Sequence, residues 1–304
     1  MKYVLGHKNP DTDSIISAIA MADFLGDGYM PARSGDLNKE SLFVLNEFGI
    51  ESPELPELNE VEGFVLVDHN QEAQMFDGLD KSKIEMIVDH HNLGGLALLS
   101  PIFIRIEPTG CTATIIYKLY KEAAREIPEN IKKLLLASIL SDTLNFSSPT
   151  GTEADKMVAN EIARETSIKI DEFAAKMFKA KSDLTGMPIS RVVSADYKEF
   201  EMGKFNVGIG VFETVDPAPA LERKGEIVEA VRELQQEAGV DYIFFAVVDI
   251  VVDMAYLIMP TDKEKEVATA IFKGDLEDDV LKIPGVVSRK KQMVPSLQKY
   301  LENV

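Results

Sequence analysis

Tyr3-Val4-Leu5-Gly6-His7-Lys8-Asn9-Pro10-Asp11-Thr12-Asp13-Ser14-Ile15-Ile16 places a short apolar run, a polar turn and the start of an apolar helix face in one continuous piece. The run Tyr3 to Gly6 has the content of a buried β-strand, and it delivers His7 just past its carboxyl end. From Ser14 to Leu25, the residues Ile15, Ile16, Ile19, Ala22 and Phe24 share a broad helical face, so Asp11 and Asp13 sit at the helix start. The same ending recurs twice: Phe64-Val65-Leu66-Val67 runs into Asp68, and Ile84-Glu85-Met86-Ile87-Val88 runs into Asp89-His90-His91. Ligands of open α/β sheets bind beyond the carboxyl ends of the strands, so three strand ends converge on one crevice. Alternating apolar runs and helical patterns predict an α/β fold, with an N-terminal doubly wound, mainly parallel sheet.

Further helices are predicted over Thr112 to Arg125 and Asn130 to Leu140, the second ending at Ser141-Asp142-Thr143. Thr152-Glu153-Ala154-Asp155 reads as a capped start, with Asp155 reaching back to Thr152 and the helix running to about Glu165. Ser182-Asp183-Leu184-Thr185-Gly186-Met187-Pro188 breaks the pattern. It divides the chain into a first domain, 1–181, a hinge linker, 182–188, and a smaller C-terminal α/β domain of mixed sheet, 189–304. There, Phe205 to Phe212, Tyr242 to Val248 and Val251 to Met259 read as strands. Glu222 to Ala238, closed by Gly239, and Thr261 to Lys273, closed by Gly274, read as helices. The acidic run Asp275 to Asp279 reads as a solvated loop, and the aromatic residues of Tyr242 to Phe245 as core.

Composition restricts the partners. The 304 residues carry 32 Lys+Arg and 51 Asp+Glu, a formal charge of 32 − 51 = −19. Repulsion from that charge opposes general binding to nucleic acid or an anionic membrane. No apolar run approaches the roughly 18 residues of a membrane span. The single cysteine, Cys111, excludes an internal disulfide framework and any multi-cysteine metal site, and a reducing, cytoplasmic setting is expected. Cys111 begins a predicted helix and reads as a small buried residue. All four histidines, His7, His69, His90 and His91, precede residue 92, which assigns imidazole chemistry to the first domain.

His7, Asp11 and Asp13 supply one nitrogen and two carboxylates from one short piece of backbone. By itself, such a turn is more often only a helix cap. Asp68 and the Asp89-His90-His91 group change the reading, because polar residues buried at strand ends need a metal or counter-charge. His and carboxylate ligands without thiolate favour a borderline or hard divalent ion, with Mn²⁺, Co²⁺, Mg²⁺ and Zn²⁺ all open. Asp11, Asp13, Asp68 and Asp142 outnumber what one catalytic ion needs, so two ions sharing a bridging carboxylate, about 3.5–4 Å apart, are expected. Such a pair makes hydroxide available near neutral pH and clamps the oxygens of an in-line displacement at phosphorus. From Val286 to Tyr300 the charged residues are Arg289, Lys290, Lys291 and Lys299, a basic island in an acidic chain. Arg offers a planar fork and Lys a mobile point charge, a combination suited to a diphosphate.

Gly6 to Ser14, Val67-Asp68-His69-Asn70, Asp89-His90-His91, Ser141-Asp142-Thr143-Leu144-Asn145-Phe146 and Ser288-Arg289-Lys290-Lys291-Gln292, in this order, closely resemble the motifs of family II inorganic pyrophosphatases. These are manganese- or cobalt-dependent members of the Asp-His-His (DHH) phosphoesterase superfamily. The resemblance implies hydrolysis of pyrophosphate to two phosphates by a hydroxide bridging two Mn²⁺ or Co²⁺ ions, with additional Mg²⁺ or Mn²⁺ arriving with the substrate. It implies that His7, Asp11 and Asp68 hold one metal, that Asp13, Asp68, His90 and Asp142 hold the other, and that Asp68 bridges. His91 then faces substrate and can protonate the leaving group, while Lys198, Arg289 and Lys290 bind pyrophosphate. Domain closure and a homodimer formed through the first domain are also implied. His69, beside the bridging candidate, is expected to serve a supporting role.

Within the superfamily, short-chain polyphosphatases and phosphodiesterases are the competing readings. The latter carry a glycine-rich, histidine-containing motif in a different second domain, and the present chain has no histidine after His91. A metal or nucleotide sensor is the non-enzymatic alternative.

Overall fold

In the computed structural model, which describes residues 1–98 and 100–303, the N-terminal apolar run is strand β1 (Lys2–Leu5). Helix α1 (Thr12–Leu25), strand β2 (Tyr29–Ala32), helix α2 (Lys39–Glu47), and strands β3 (Gly63–Val67), β4 (Ile84–Asp89) and β5 (Phe103–Ile106) follow. Helices α3 (Thr112–Glu122), α4 (Glu129–Asp142), α5 (Glu153–Thr166) and α6 (Ile170–Lys181) complete the first of two compact units, Met1–Lys181. The sheet order is β2-β1-β3-β4-β5, and every neighbouring pair is parallel. The strand order turns at β1 and β3, so the crevice expected of such a sheet lies past Leu5 and Val67. His7 and Asp68 stand there.

Alternation along the buried strands divides the core. Val4, Val65, Val67 and Val88 pack against α1 and α3 to α6, while Leu5, Phe64, Leu66 and Ile87 face a smaller cluster containing Val61 and Met75. The apolar run in α4 explains its central position between α1 and α5: Leu134, Leu135 and Leu136 are all 0% exposed. Each such leucine stabilises the fold by about 1.5–3 kcal/mol relative to an exposed one. At α5, Thr152 Oγ1 accepts from Asp155 N, and the Asp155 carboxylate accepts from Thr152 N, completing the expected capping box. Asp155 also accepts from Gly110 N (2.8 Å) and Thr114 Oγ1 (2.6 Å), tying the start of α5 to the loop entering α3.

The second unit begins at Ser182. It contains α7 (Ile189–Ser194), β6 (Tyr197–Met202), β7 (Phe205–Thr214), α8 (Ala218–Glu222), α9 (Lys224–Ala238), β8 (Tyr242–Asp249), β9 (Met254–Ile258), α10 (Asp262–Ile271), β10 (Asp275–Glu277), β11 (Val280–Pro284) and α11 (Val294–Leu301). Val304, the end of the expected second domain, lies outside the described residues. The sheet order is β10-β11-β9-β8-β7-β6, parallel only between β7 and β8, where α8 and α9 form the crossover. β8 is buried at every position because it lies between two cores: Tyr242, Phe244, Ala246 and Val248 enter one, and Ile243, Phe245 and Val247 the other.

Most element ends fall within about three residues of expectation, and three differences have a local cause. β9 starts at Met254, because the Asp249 carboxylate accepts from Val251 N and Val252 N and makes residues 250–253 a hairpin turn. Gly274 does not close α10, which passes at Phe272 into extended backbone. The acidic run is a hairpin rather than a loop: β10 pairs with β11 through Asp278 and Asp279, both at positive φ as a tight two-residue turn requires. Asp155→Ala should lower the unfolding free energy by about 3 kcal/mol or more, since it removes a helix cap and strands buried donors at Gly110 and Thr114. Urea denaturation followed by circular dichroism measures this, and a change below about 1 kcal/mol would contradict the assigned role.

Candidate metal centre

Four chain segments supply the first unit's cluster. The turn after β1 supplies His7 and Asp11, and the buried first turn of α1 supplies Asp13. The residue after β3 is Asp68, at a left-handed φ of 61° that swings the chain away from the strand. His90 follows β4, and Asp142 ends α4. His7 Nε2 lies 3.6 Å from Asp11 Oδ2 and 3.4 Å from Asp68 Oδ2. His90 Nε2 lies 3.3 Å from Asp68 Oδ1 and 3.6 Å from Asp142 Oδ2. Asp68 therefore turns one oxygen to each histidine. His7, Asp11 and Asp68 form one donor set that could hold a divalent ion, and Asp13, Asp68, His90 and Asp142 form another, with ligand atoms of each set within 4.8 Å of one another.

Neighbouring groups orient these donors. His7 Nδ1 contacts the Lys8 carbonyl at 2.7 Å and His90 Nδ1 the Thr109 carbonyl at 3.0 Å. A carbonyl can only accept, so Nδ1 carries the proton in each ring and Nε2 is the nitrogen available to a cation. Asp13 accepts from Thr112 N (2.7 Å) and Ala113 N (3.2 Å) at the start of α3, and from the side chains of Ser17, Ser138 and Cys111. Cys111 is buried, as its helix-start position suggested.

The electrostatics fit a cation-binding site. Burial raises the Asp68 carboxyl, the Asp13 charge raises it further, and bonds from His7 and His90 oppose both, leaving it at about 6. Asp142 is pushed well above the ordinary carboxylate range by burial and by Asp13, Asp11 and Asp68. Burial disfavours charge on His7 and His90, yet the surrounding carboxylates outweigh it and raise them to about 11 and about 9. Protons stabilise this crowd of carboxylates where divalent ions would do so more strongly. The donors are all oxygen and imidazole nitrogen, which suits manganese-type ions.

His91 belongs to neither of these two sets, although with Asp68 and His90 it forms a third possible donor group, its Nδ1 3.8 Å from Asp68 Oδ1. Its ring is about half exposed, and Nδ1 lies 2.9 Å from Asp89 Oδ1. The hydrogen bond to Asp89 raises its pKa against partial burial. Asp89 is itself fully buried and also accepts from His90 N (2.7 Å), His91 N (3.1 Å) and Asn70 Nδ2 (2.5 Å). His69 is buried outside both sets, with Nδ1 on the Val67 carbonyl at 2.8 Å, and burial lowers its pKa to about 4. Sequence reasoning missed the orienting roles of Asp89 and Asn70. Their positions within Asp89-His90-His91 and Asp68-His69-Asn70 were the available signal.

In the second unit, Arg289 begins a π-helical turn, Arg289–Met293, and its side chain is 11% exposed. Nη1 donates to the Asp196 carbonyl (2.5 Å) and Nη2 to Asp196 Oδ1 (2.7 Å). Asp196 lies two residues before Lys198 on β6, so one turn fixes Arg289 beside the strand carrying Lys198. Lys198 and Lys290 are exposed.

A parallel sheet whose strand ends gather His and Asp, followed by a second mixed-sheet unit, defines the DHH–DHHA2 class. Residues 2–139 match the model for the DHH family, N-terminal domain, and residues 175–300 match the DHHA2 domain. A Bacillus licheniformis protein named "Probable manganese-dependent inorganic pyrophosphatase" is 40% identical, with 98% of each chain covered. A Bacillus cereus protein of the same name is 38% identical over 97% of this chain and 96% of its own. A Methanococcus jannaschii crystal structure, described as a "putative family II inorganic pyrophosphatase", superposes with a TM-score of 0.67 at 38% identity, covering 99% of both chains. The chain belongs to the family of manganese-dependent, family II inorganic pyrophosphatases.

Manganese uptake at pH 7.5 should release protons, because ion-free His7 and His90 are protonated there and Nε2 must be bare to bind. Affinity should rise with pH between 6 and 9, as Asp68 and then His90 lose their protons. Calorimetric titrations in buffers of different ionisation enthalpy count the protons, and a binding enthalpy independent of buffer would refute this.

Proposed function

We propose that the protein hydrolyses inorganic pyrophosphate to two phosphates, with His7, Asp11 and Asp68 holding one divalent ion and Asp13, Asp68, His90 and Asp142 holding a second. The observation carrying this reading is the two-sided presentation of Asp68, 3.4 Å from His7 through Oδ2 and 3.3 Å from His90 through Oδ1. Bound there, Mn²⁺ or Co²⁺ would supply Lewis acidity and lower the pKa of a water towards neutrality, and further Mg²⁺ or Mn²⁺ would accompany the substrate.

The chain's own groups have defined tasks in this reading. Asp89 holds His91 through Nδ1, so Nε2 can donate a proton to the departing phosphate oxygen. Lys198, Arg289 and Lys290 neutralise substrate charge, and the Asp196 clamp presents the Arg289 guanidinium in a fixed orientation. Domain 189–304 closes on substrate through linker 182–188. Arg223 Nη1 donates to the carbonyls of Leu184 and Met187 at 3.2 Å, which favours flexing at the front of that linker. The exposed edge-strand residues Phe103 and Ile104 support homodimer formation through the first unit. No helix among the described residues is long and apolar enough to cross a membrane, and the free, buried Cys111 suits a cytoplasmic setting.

Phosphate release from pyrophosphate, tripolyphosphate and a short oligonucleotide, after chelation and readdition of Mn²⁺, Co²⁺, Mg²⁺ or Zn²⁺, tests the assignment. Preference for pyrophosphate with Mn²⁺ or Co²⁺ is expected, as is loss of turnover in Asp68→Ala. Normal turnover by that variant would sink the bridging role. Faster tripolyphosphate cleavage would favour a polyphosphatase, and metal uptake without turnover a sensor.

Asp89→Asn should move the alkaline limb of the kcat profile to lower pH. The Asp89 carboxylate raises the His91 pKa, so weakening that contact makes His91 lose its donatable proton earlier as pH rises. An unmoved limb with reduced kcat would exclude His91 as the proton donor.

A further inference from the structure

A second buried carboxylate lies behind the cluster. Glu40, in the first turn of α2, is 0% exposed. Its Oε2 accepts from Thr12 Oγ1 at 2.9 Å and from Ser141 Oγ at 2.7 Å, and it lies 3.2 Å from Lys181 Nζ. Oε1 is buried without a hydrogen-bond partner. Such a group is costly to bury, and the cost is offset by the Lys181 charge and the positive end of α2. Neither hydroxyl comes from an arbitrary position: Thr12 lies between Asp11 and Asp13, and Ser141 immediately precedes Asp142.

The two ends that Glu40 joins are supported unequally. Asp13 receives hydrogen bonds from two backbone N–H groups of α3 and from three side chains. Among the described residues, the Asp142 carboxylate accepts none, and its nearest cationic contact is His90 at 3.6 Å. Its position is therefore set through the helix end that carries it, where Ser141 is tied to Glu40.

We infer that Glu40 is a positioning residue, whose single oxygen ties the start of α1 to the end of α4 and so fixes Asp142 against Asp11 and Asp13 at the spacing a cation requires. The ion pair with Lys181 extends this tie to the last residue of the first unit. Supporting partners of metal ligands govern affinity through geometry, typically by about 10–100-fold. This inference rests on the metal-binding reading above.

The test is calorimetric titration of Mn²⁺ into the chelator-stripped full-length chain, with urea unfolding of each variant. Glu40→Ala should weaken binding by about 10–100-fold at one of the two ions. Glu40→Gln keeps an oxygen that can accept from Thr12 and Ser141, so it should retain most of the affinity. Ser141→Ala, which cuts only the α4 arm, should weaken the same ion with little loss of stability, and it remains decisive where Glu40→Ala does not fold. A lowered urea midpoint with unchanged Mn²⁺ affinity in Glu40→Ala and Ser141→Ala would overturn the inference in favour of a packing role. Equal weakening in Gln and Ala variants would also overturn it, because charge rather than geometry would then be responsible. A wild-type chain that takes up no Mn²⁺ would instead refute the metal reading itself.

Discussion

Four carboxylates, Asp11, Asp13, Asp68 and Asp142, are held within reach of two imidazoles at the carboxyl edge of a buried sheet, and most of the first unit's organisation answers to their repulsion. Asp68 is the node, because it is fully buried and faces His7 with one oxygen and His90 with the other. Its left-handed backbone conformation is an uncommon one for a non-glycine residue, and the strand end must turn there for the carboxylate to serve both sides. The apolar strands and helices below make that turn affordable by fixing everything around it.

How much of this could be read from residues alone depended on how local the determining interaction was. Val65 to Val67 running into Asp68, and Met86 to Val88 running into Asp89-His90-His91, identify a strand and its functional end within a few residues. The capping box at Thr152 and Asp155 is equally local, and it formed as expected. Edge strands β2, β5 and β6 were harder, because half-exposed sequences such as Tyr197-Lys198-Glu199-Phe200 carry little apolar signal and owe their extended form to a paired neighbour. Asp275 to Asp279 deceived for the same reason: its charge suggests solvent, and solvent it meets, but pairing with β11 decides its backbone.

The supporting groups of the site were the least legible. Asp13 and Ser138 are separated by 125 residues, and Ser141 and Glu40 by 101, so no window of sequence contains either contact. Ser, Thr and Glu are also common on helices for reasons unrelated to chemistry. Arg289 shows the same limit. The basic island marked it as a phosphate group's partner, whereas the contact that orients it, Asp196, lies 93 residues away and carries the opposite charge.

That last pairing bears on the net charge of −19. An acidic protein that handles a small anion needs a locally positive field, not a positive surface. In the second unit the Asp196 carboxylate neutralises part of Arg289 but leaves Lys198 and Lys290 exposed, so orientation is obtained without losing the cationic character of the segment. In the first unit the relation is reversed, since carboxylates dominate and protons occupy His7 and His90 until something more highly charged replaces them. The two units thus present opposite electrostatic problems, and only in the first does the solution have to come from outside the chain.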